Sequence, residues 1–422
     1  MIKNLQNKHF LSGQRAKKMQ WLLIFFLLTA PIFLQAQDLG ILTDQSVAFN
    51  NLGADYDDSR LSYSGSIIPY FSTLIGSNSE LNIAASLTYR IEPWFYVPEL
   101  LMMELNIRFG KGELKAGRMK YSDPMEFIAN GYFDGALFAF DTKAGTFSVG
   151  GWYTGYLYKT RAAITMTKDE ERYSYESYFF DDFVNTYFAP ARLLSSISWG
   201  HTSIGGLLDL KLSLLGQFDF SGANLDSQYV TLNLSIPAKR IIFNLGGCFE
   251  LIQYDGLYEG FLNSTMAVAA KAGLTWTSTK PIEPKISLQG IYASAGFKDT
   301  PYGSFLPVTT IPQGNLLNAK LTGISIISIN FLTSFSDTVS IELDVSYFIR
   351  NDLETYNYYP VIGTSSEGHF LGPEMFTRFL WKSASGFHLN IGAGVFMPSL
   401  GDAAPEGNML WRVEASILLS LF

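Results

Sequence analysis

From residue 59 to the C-terminus the chain alternates apolar and polar residues with a two-residue period, the pattern of strands with one greasy and one wet face. In Ser79 to Glu92 the apolar face carries Leu81, Ile83, Ala85, Leu87, Tyr89 and Ile91, and the other Glu80, Asn82, Ser86, Thr88 and Arg90. The same beat sets Leu208, Leu210, Leu212, Leu214, Phe218 and Phe220 on one side of a later segment, and Val230, Leu232, Leu234 and Ile236 on one side of the next. A two-sheet sandwich could use this beat too, so the number of strands and the destination of the chain decide between architectures.

The first 36 residues hold Lys3, Lys8, Arg15, Lys17 and Lys18, no acid, and the apolar run Trp21 to Leu34. A basic head, an apolar stretch and a small residue before the boundary are the parts of a secretory signal peptide, with cleavage expected after Ala36. Residues 37–422 then form the mature chain, one domain with no linker or composition shift. Removing five of the 30 basic residues and none of the 38 acids leaves a charge near −13. An acidic chain argues against nucleic acid or an anionic membrane surface as partner. The single cysteine, Cys248, is neither an N-terminal lipid anchor nor half of an internal disulfide.

After residue 36 no apolar run is long enough for a membrane-spanning helix. Aromatics nonetheless reach 15%, with 23 Tyr and 33 Phe. Many amphipathic strands, exported and aromatic-rich, predict an all-β fold, a transmembrane antiparallel β-barrel whose outside faces lipid and whose backbone is satisfied within the sheet. Short turns alternate with longer, more acidic connections. The eight short ones are GSNS at 76–79, GKGE at 110–113, DTKAG at 141–145, HTSIG at 201–205, PAKR at 237–240, 278–285, SFSDT at 334–338 and KSASG at 382–386. Bacterial barrels have short periplasmic turns and long outer loops, so all eight fall on the periplasmic side. Seventeen strands are plain in the sequence, and an even number requires one more before Ser59. Leu39 to Asn50 is the segment available, which gives 18 strands; 16 is the alternative if segments such as those flanking Gly110 merge. The final strand sets Trp411, Val413, Ala415, Ile417, Leu419 and Leu421 outward and ends in Phe422. A terminal aromatic resembles the signal read by the barrel-assembly machinery, although Phe422 shares the parity of Arg412, not of Trp411.

With the faces assigned, the inward positions include Arg90, Glu104, Arg108, Lys115, Asp209, Lys211, Asp219, Glu250, Lys271, Glu342, Asp344, Arg350, Glu374, Arg378, Arg412 and Glu414. Charges of both signs in near balance, with few branched apolar residues among them, predict a water-filled lumen. Arg118 breaks the beat, because it shares the face of Leu114 and Ala116. An arginine toward lipid at mid-membrane costs about 2–4 kcal/mol. A bulge at Gly117 would turn it inward, as a constriction residue.

Two patches carry a family resemblance. Leu114-Lys115-Ala116-Gly117-Arg118 followed by Phe133-Asp134-Gly135, and Leu371-Gly372-Pro373-Glu374 followed by Phe387 to Phe396, resemble signatures of alginate-export-type, porin-like outer-membrane channels. The resemblance implies an 18-stranded barrel passing sugars or other small solutes, with the arginine near its narrowest point. It does not imply a polyanion, since here acids are as frequent as bases.

The longest loop, Lys159 to Ala189, combines Asp169, Glu170 and Glu171 with Tyr173, Tyr175 and Tyr178, and is expected to fold into the mouth; Tyr356, Tyr358 and Tyr359 repeat the theme. Such tyrosines suit sugar contacts or an interfacial girdle. An enzyme is not expected. His201 and His388 lie at the wrong end for a substrate arriving from outside, His369 has no signature serine beside it, 363–367 is no nucleophile elbow, and there is neither a phosphate loop nor a Cys/His metal set, so no cofactor or metal is expected. The expectation is an outer-membrane channel of a diderm bacterium for small hydrophilic solutes or ions. The alternative is a barrel-anchored surface protein whose loops bind a partner.

Overall fold

The computed structural model describes residues 37–421 except 53–58, 92–93, 167–181, 223–224, 256–261, 279–281, 297–303, 354–366 and 384–385. Its strands are β1 (Gln37–Asn50), β2 (Arg60–Ile75), β3 (Ser79–Ile91), β4 (Trp94–Phe109), β5 (Gly112–Ser122), β6 (Asn130–Thr142), β7 (Gly145–Tyr153), β8 (Arg192–Ile204) and β9 (Leu208–Asp219). They continue with β10 (Leu225–Ala238), β11 (Ile241–Asp255), β12 (Leu262–Thr277), β13 (Lys285–Ala293), β14 (Ile324–Ser334), β15 (Val339–Arg350), β16 (Phe370–Lys382), β17 (Phe387–Phe396) and β18 (Leu410–Leu421).

Each strand pairs antiparallel with its neighbours in sequence, and the ladder from Ile41↔Leu421 to Asn50↔Arg412 joins β1 to β18. The result is a closed 18-stranded barrel, with the strand that parity required before Ser59 lying between β18 and β2. All eight short connections fall at one end and the longer ones at the other. Closure leaves no edge, which is what a sheet in hydrocarbon requires.

The outward positions are apolar and bare. Leu39, Phe49, Val149, Ile197, Leu214, Val230, Leu245, Leu288, Ile327 and Val413 are all exposed on the barrel exterior. An apolar belt around the whole circumference is unfavourable in water and natural in lipid.

The interior departs from a lumen that is wet all round. Two outer-end segments, 123–129 and 304–323, fold inward and bring Met125, Phe127, Ile128, Phe305, Val308, Leu316, Leu317 and Leu321 to buried positions. They pack against inward side chains such as Met119, Phe133, Trp152, Leu194, Leu215, Tyr229, Ile252, Ile326, Phe348, Phe376 and Phe396. The interior core therefore follows the wall from β5 round to β17, reaching β18 only at its outer end through Leu410. These apolar groups come from loops, and the strand beat carries no record of them.

Candidate functional site

The two inward segments are tied to the wall by polar residues placed for that purpose. Glu374, at the outer end of β16, accepts three consecutive backbone N–H bonds, from Asn315 (2.5 Å), Leu316 (3.0 Å) and Leu317 (2.9 Å). Glu250 on β11 accepts from Leu306 N–H at 2.9 Å, while the Tyr229 hydroxyl on β10 donates to the same residue's carbonyl at 2.6 Å. The shorter segment is held by Lys271 Nζ to Met125 O (2.7 Å) and Asn233 Nδ2 to Pro124 O (2.9 Å). Inside it, the Asp123 carboxylate accepts N–H bonds from Met125, Ile128 and Ala129. Burial pushes the Asp123 carboxyl above the usual carboxylate range, against the opposing pull of these amides and of Lys271. The segments also bond each other, Thr309 N–H to Ile128 O and Asn130 N–H to Thr309 Oγ1, both at 3.0 Å.

Three of the charges expected to line a lumen, Glu250, Lys271 and Glu374, thus serve as loop anchors. Glu342, Asp344 and Arg378 form a wall network on β15 and β16: Arg378 lies 2.9 Å from Asp344 and 3.4 Å from Glu342, and Asn330 donates to both acids. Arg378 also bonds Asn315 and stacks over Phe376, so this network touches the longer segment too. Arg192 and Asp219, register partners on β8 and β9, are fully buried together, and Arg350 bonds the Gly368 carbonyl. Arg108 pairs with Glu113 and Asp209 accepts from Ser203 N–H, both at the short-turn end. Glu104 faces Gly117 across the ladder and Lys115 faces Asn106, while Lys211 stays exposed beside Ser148 and Ser198. Tyr173, Tyr175, Tyr178, Tyr356, Tyr358 and Tyr359 lie outside the described residues, as do residues 1–36 and Phe422.

Arg118 is 8% exposed and makes four hydrogen bonds. It grips Asp134 with two bonds of 2.7 Å and donates to Leu100 O (2.6 Å) and Tyr156 O (2.9 Å). The residue is placed by an ordinary ladder and not by an inserted residue. Gly117↔Gly135, Arg118↔Asp134 and Met119↔Phe133 are successive register partners, with no shift at Gly117. The expected bulge is absent, because the backbone solves the local problem with conformation: Gly117 has φ +110°, and a Cβ there would lie 2.0 Å from Met103 O. The two halves of the first sequence patch are therefore one cross-strand unit. Pairing between β4 and β5 stops at Met103↔Arg118, so the β4 carbonyls above that point need donors from elsewhere. The guanidinium supplies one to Leu100, and the Tyr187 hydroxyl supplies another to Pro98 at 2.7 Å. In the second patch, Gly392 and Gly394 make room for the buried Phe376 ring.

Polar cavities open on both sides of the interior: one of about 460 Å³ lies beneath the 123–126 segment beside Ser148, Ser198 and Lys211, and two lie on the wall from β18 through β1, β2 and β3 to β4. A cavity of about 200 Å³ lies at its outer end, lined by Thr88, Arg90, Val97, Glu99, Tyr158 and Arg161. A second, of about 260 Å³, lies on β18, β1 and β2, lined by Asp44, the four serines Ser46, Ser62, Ser64 and Ser416, and Arg412 with Glu414. Arg161, from the short helix Lys159–Ala162, bonds Glu99 at 2.5 Å, reaches Thr88 and interacts electrostatically with Asp44. Arg412 and Glu414 pair at 2.5 Å.

Asp44, Glu99 and Arg161 were missed in the sequence. Asp44 has the inward parity of β1 and follows once that strand is read like the others. Glu99 was hidden by a true bulge: Ala84 pairs with Met102 and Ala85 with Leu100, so Leu101 is extra and the parity of β4 reverses above it. Counting back from Met103 would have sent Glu99 into lipid, a conflict of the kind that drew attention to Arg118. Arg161 lies in a loop, where no beat exists.

The fold is a closed 18-stranded antiparallel barrel with a partly filled interior. Solved structures of the same architecture include Pseudomonas aeruginosa OccK5 (OpdH), at 13% identity and TM-score 0.59, covering 92% of this chain and 99% of that one. OccK2 (OpdF) of the same organism, solved in complex with glucuronate, gives 10% identity and TM-score 0.58 over 92% and 99%. The P. aeruginosa outer membrane protein opdK gives 10% and 0.54 over 92% and 100%. At these identities the likeness is one of fold. No family model matches the chain, and no curated protein matches it.

Proposed function

We propose that this protein is an outer-membrane channel for small hydrophilic solutes, and that its passage runs along the β18–β4 wall. The observation that carries the reading is the asymmetry of the outer half of the interior: two inward segments cover the wall there from β5 to β17, while two polar cavities on the β18–β4 wall stay open, and a larger one of about 460 Å³ opens below the cover beside Ser148, Ser198 and Lys211. Arg161, Glu99 and Asp44 form the narrow region near the outer end, with charge of both signs facing across it. Such a constriction selects by size and by balanced hydrogen bonding more than by net charge. Arg118 serves it indirectly, by fixing the seam where the 154–158 segment leaves the wall.

Delivery to the outer membrane follows from export through residues 1–36 and insertion by barrel-assembly machinery, with lipid as the exterior partner. The resemblance to alginate-export-type channels extends to the Gly117-Arg118/Asp134-Gly135 unit, and a lumen of balanced charge favours small solutes over a polyanion. The inward course of the two segments disfavours a barrel that only displays loops.

The test is refolding and insertion into a planar bilayer. Stepwise conductance is expected, and a barrel that stays sealed at all voltages would overturn the proposal.

A further inference from the structure

The β18–β1–β2 wall carries a feature that the mixed charges do not explain. Register partners place Arg90, Ser64, Ser46, Ser416 and Asn390 side by side at one level on five adjacent strands, all on inward parity. Neighbouring strands lie about 4.8 Å apart, so this is a belt of hydrogen-bonding groups at regular short intervals. One residue pair higher sit Ser62 and Glu414 with Ala48 between them, and one pair lower sits Asp44. Because the side chains are small, the wall is recessed here, and the 260 Å³ cavity is the recess.

Its chemistry is specific. Serine hydroxyls both donate and accept, Asp44 and Glu414 accept, and Arg412 donates. Ser46 and Ser64 already share a 2.7 Å bond, which fixes their oxygens while leaving further lone pairs and a proton for a guest. Arg412 Nε, on a residue that lines the recess, makes no hydrogen bond within the described protein, although buried polar atoms are nearly always satisfied. Charge is balanced across the two adjoining cavities, since Arg412 pairs with Glu414 and Arg161 with Glu99, and Arg90 and Asp44 add one charge of each sign. A site dense in two-way hydrogen-bonding groups and without excess charge matches an uncharged polyhydroxylated molecule better than an anion or a cation.

We infer that the recess on β18, β1 and β2 is a monosaccharide subsite within the passage, contacted by Ser46, Ser62, Ser64, Ser416 and the Arg412–Glu414 pair. The inference rests on the channel reading and names the solute class for it. Its volume, about 260 Å³, admits one sugar ring. The recess holds a sugar against the wall, with Asp44 forming its lower rim.

The experiment records single-channel current while D-glucose or sodium glucuronate is added, for the native protein and for the triple variant Ser46→Ala, Ser64→Ala, Ser416→Ala. Folding of each is checked by heat-modifiable electrophoretic mobility. In the native channel, glucose should produce resolvable interruptions or excess current noise. Removing each hydroxyl should shorten its residence roughly three- to tenfold, the effect of losing one net hydrogen bond. If the triple variant does not fold, Ser416→Ala alone should show the single-hydroxyl effect. Equal glucose residence in native and variant channels would overturn the subsite, as would glucuronate bound more tightly than glucose. A sealed barrel would instead strike the channel reading. Equilibrium dialysis of labelled glucose against the detergent-solubilised native and Ser416→Ala proteins would then read the recess directly, and equal binding by the two would overturn it.

Discussion

The two halves of the interior wall obey the same alternation and have opposite fates. From β5 to β17 the inward residues of the outer half are covered by loop segments and become a packed core, Thr231 being 1% exposed, Glu250 fully buried and Phe376 set against two glycines, whereas toward the short-turn end Ser148, Ser198 and Lys211 still face a cavity. From β18 to β4 the inward residues are serines, threonines and paired charges that face cavities. Parity tells which way a side chain points. It does not tell what meets it there, and in this barrel the answer comes from residues that belong to no strand, chiefly 123–129 and 304–323.

The largest change should come from removing the cover. Replacing residues 304–323 with a short Gly-Ser connection should raise single-channel conductance severalfold, because the buried β9–β16 wall becomes lumen. An unchanged conductance would mean that the segment does not limit the passage. Next in size is Arg118→Ala, which leaves Asp134 unpaired and two carbonyls without donors. Losing one partner of a buried, hydrogen-bonded pair costs about 3–5 kcal/mol, discounted here because Asp134 is partly exposed. The mobility-shift temperature should fall while conductance changes little. A shifted ion preference at unchanged stability would instead make Arg118 the constriction residue that the sequence suggested.

Glu374→Ala removes the acceptor for three amides but leaves the remaining anchors, Glu250 and Tyr229, in place. Bonds to a charged acceptor contribute about 1.5–3 kcal/mol each. The expected outcome is a flickering conductance and faster proteolysis within 304–323, with the barrel itself intact. The smallest effect belongs to Arg161→Ala. Losing one positive charge beside Asp44 and Glu99 should move reversal potentials in a salt gradient modestly toward cation preference, more so at low ionic strength, where screening is weak.

The architecture was legible because closure and lipid contact constrain every strand in the same way. The beat, the eight short turns and the need for an even count led to β1 before any contact was known. The site was legible only in part. Arg412, Glu414 and Arg90 were readable because their strands are regular over the whole span. Glu99 was not, since one extra residue at Leu101 reverses the parity of everything beyond it. Glu250, Lys271 and Glu374 were correctly placed inside, but their partners are backbone amides and carbonyls of distant loops, and no residue type marks those. Gly117 shows the same limit from another side: the sequence flagged the right position, while the conformation there is a positive φ in an unbroken register and not an insertion.

The native cysteine allows a direct test of the central asymmetry. Cys248 faces inward on the covered side, opposite Thr231, and is 5% exposed. Ser46 faces inward on the open side. A charged, water-soluble thiol reagent applied to single channels should leave the native protein's current unchanged and should rapidly and stepwise reduce the current of a Ser46→Cys variant. Block of the native channel, or a Ser46→Cys channel indifferent to the reagent, would contradict a passage along the β18–β4 wall.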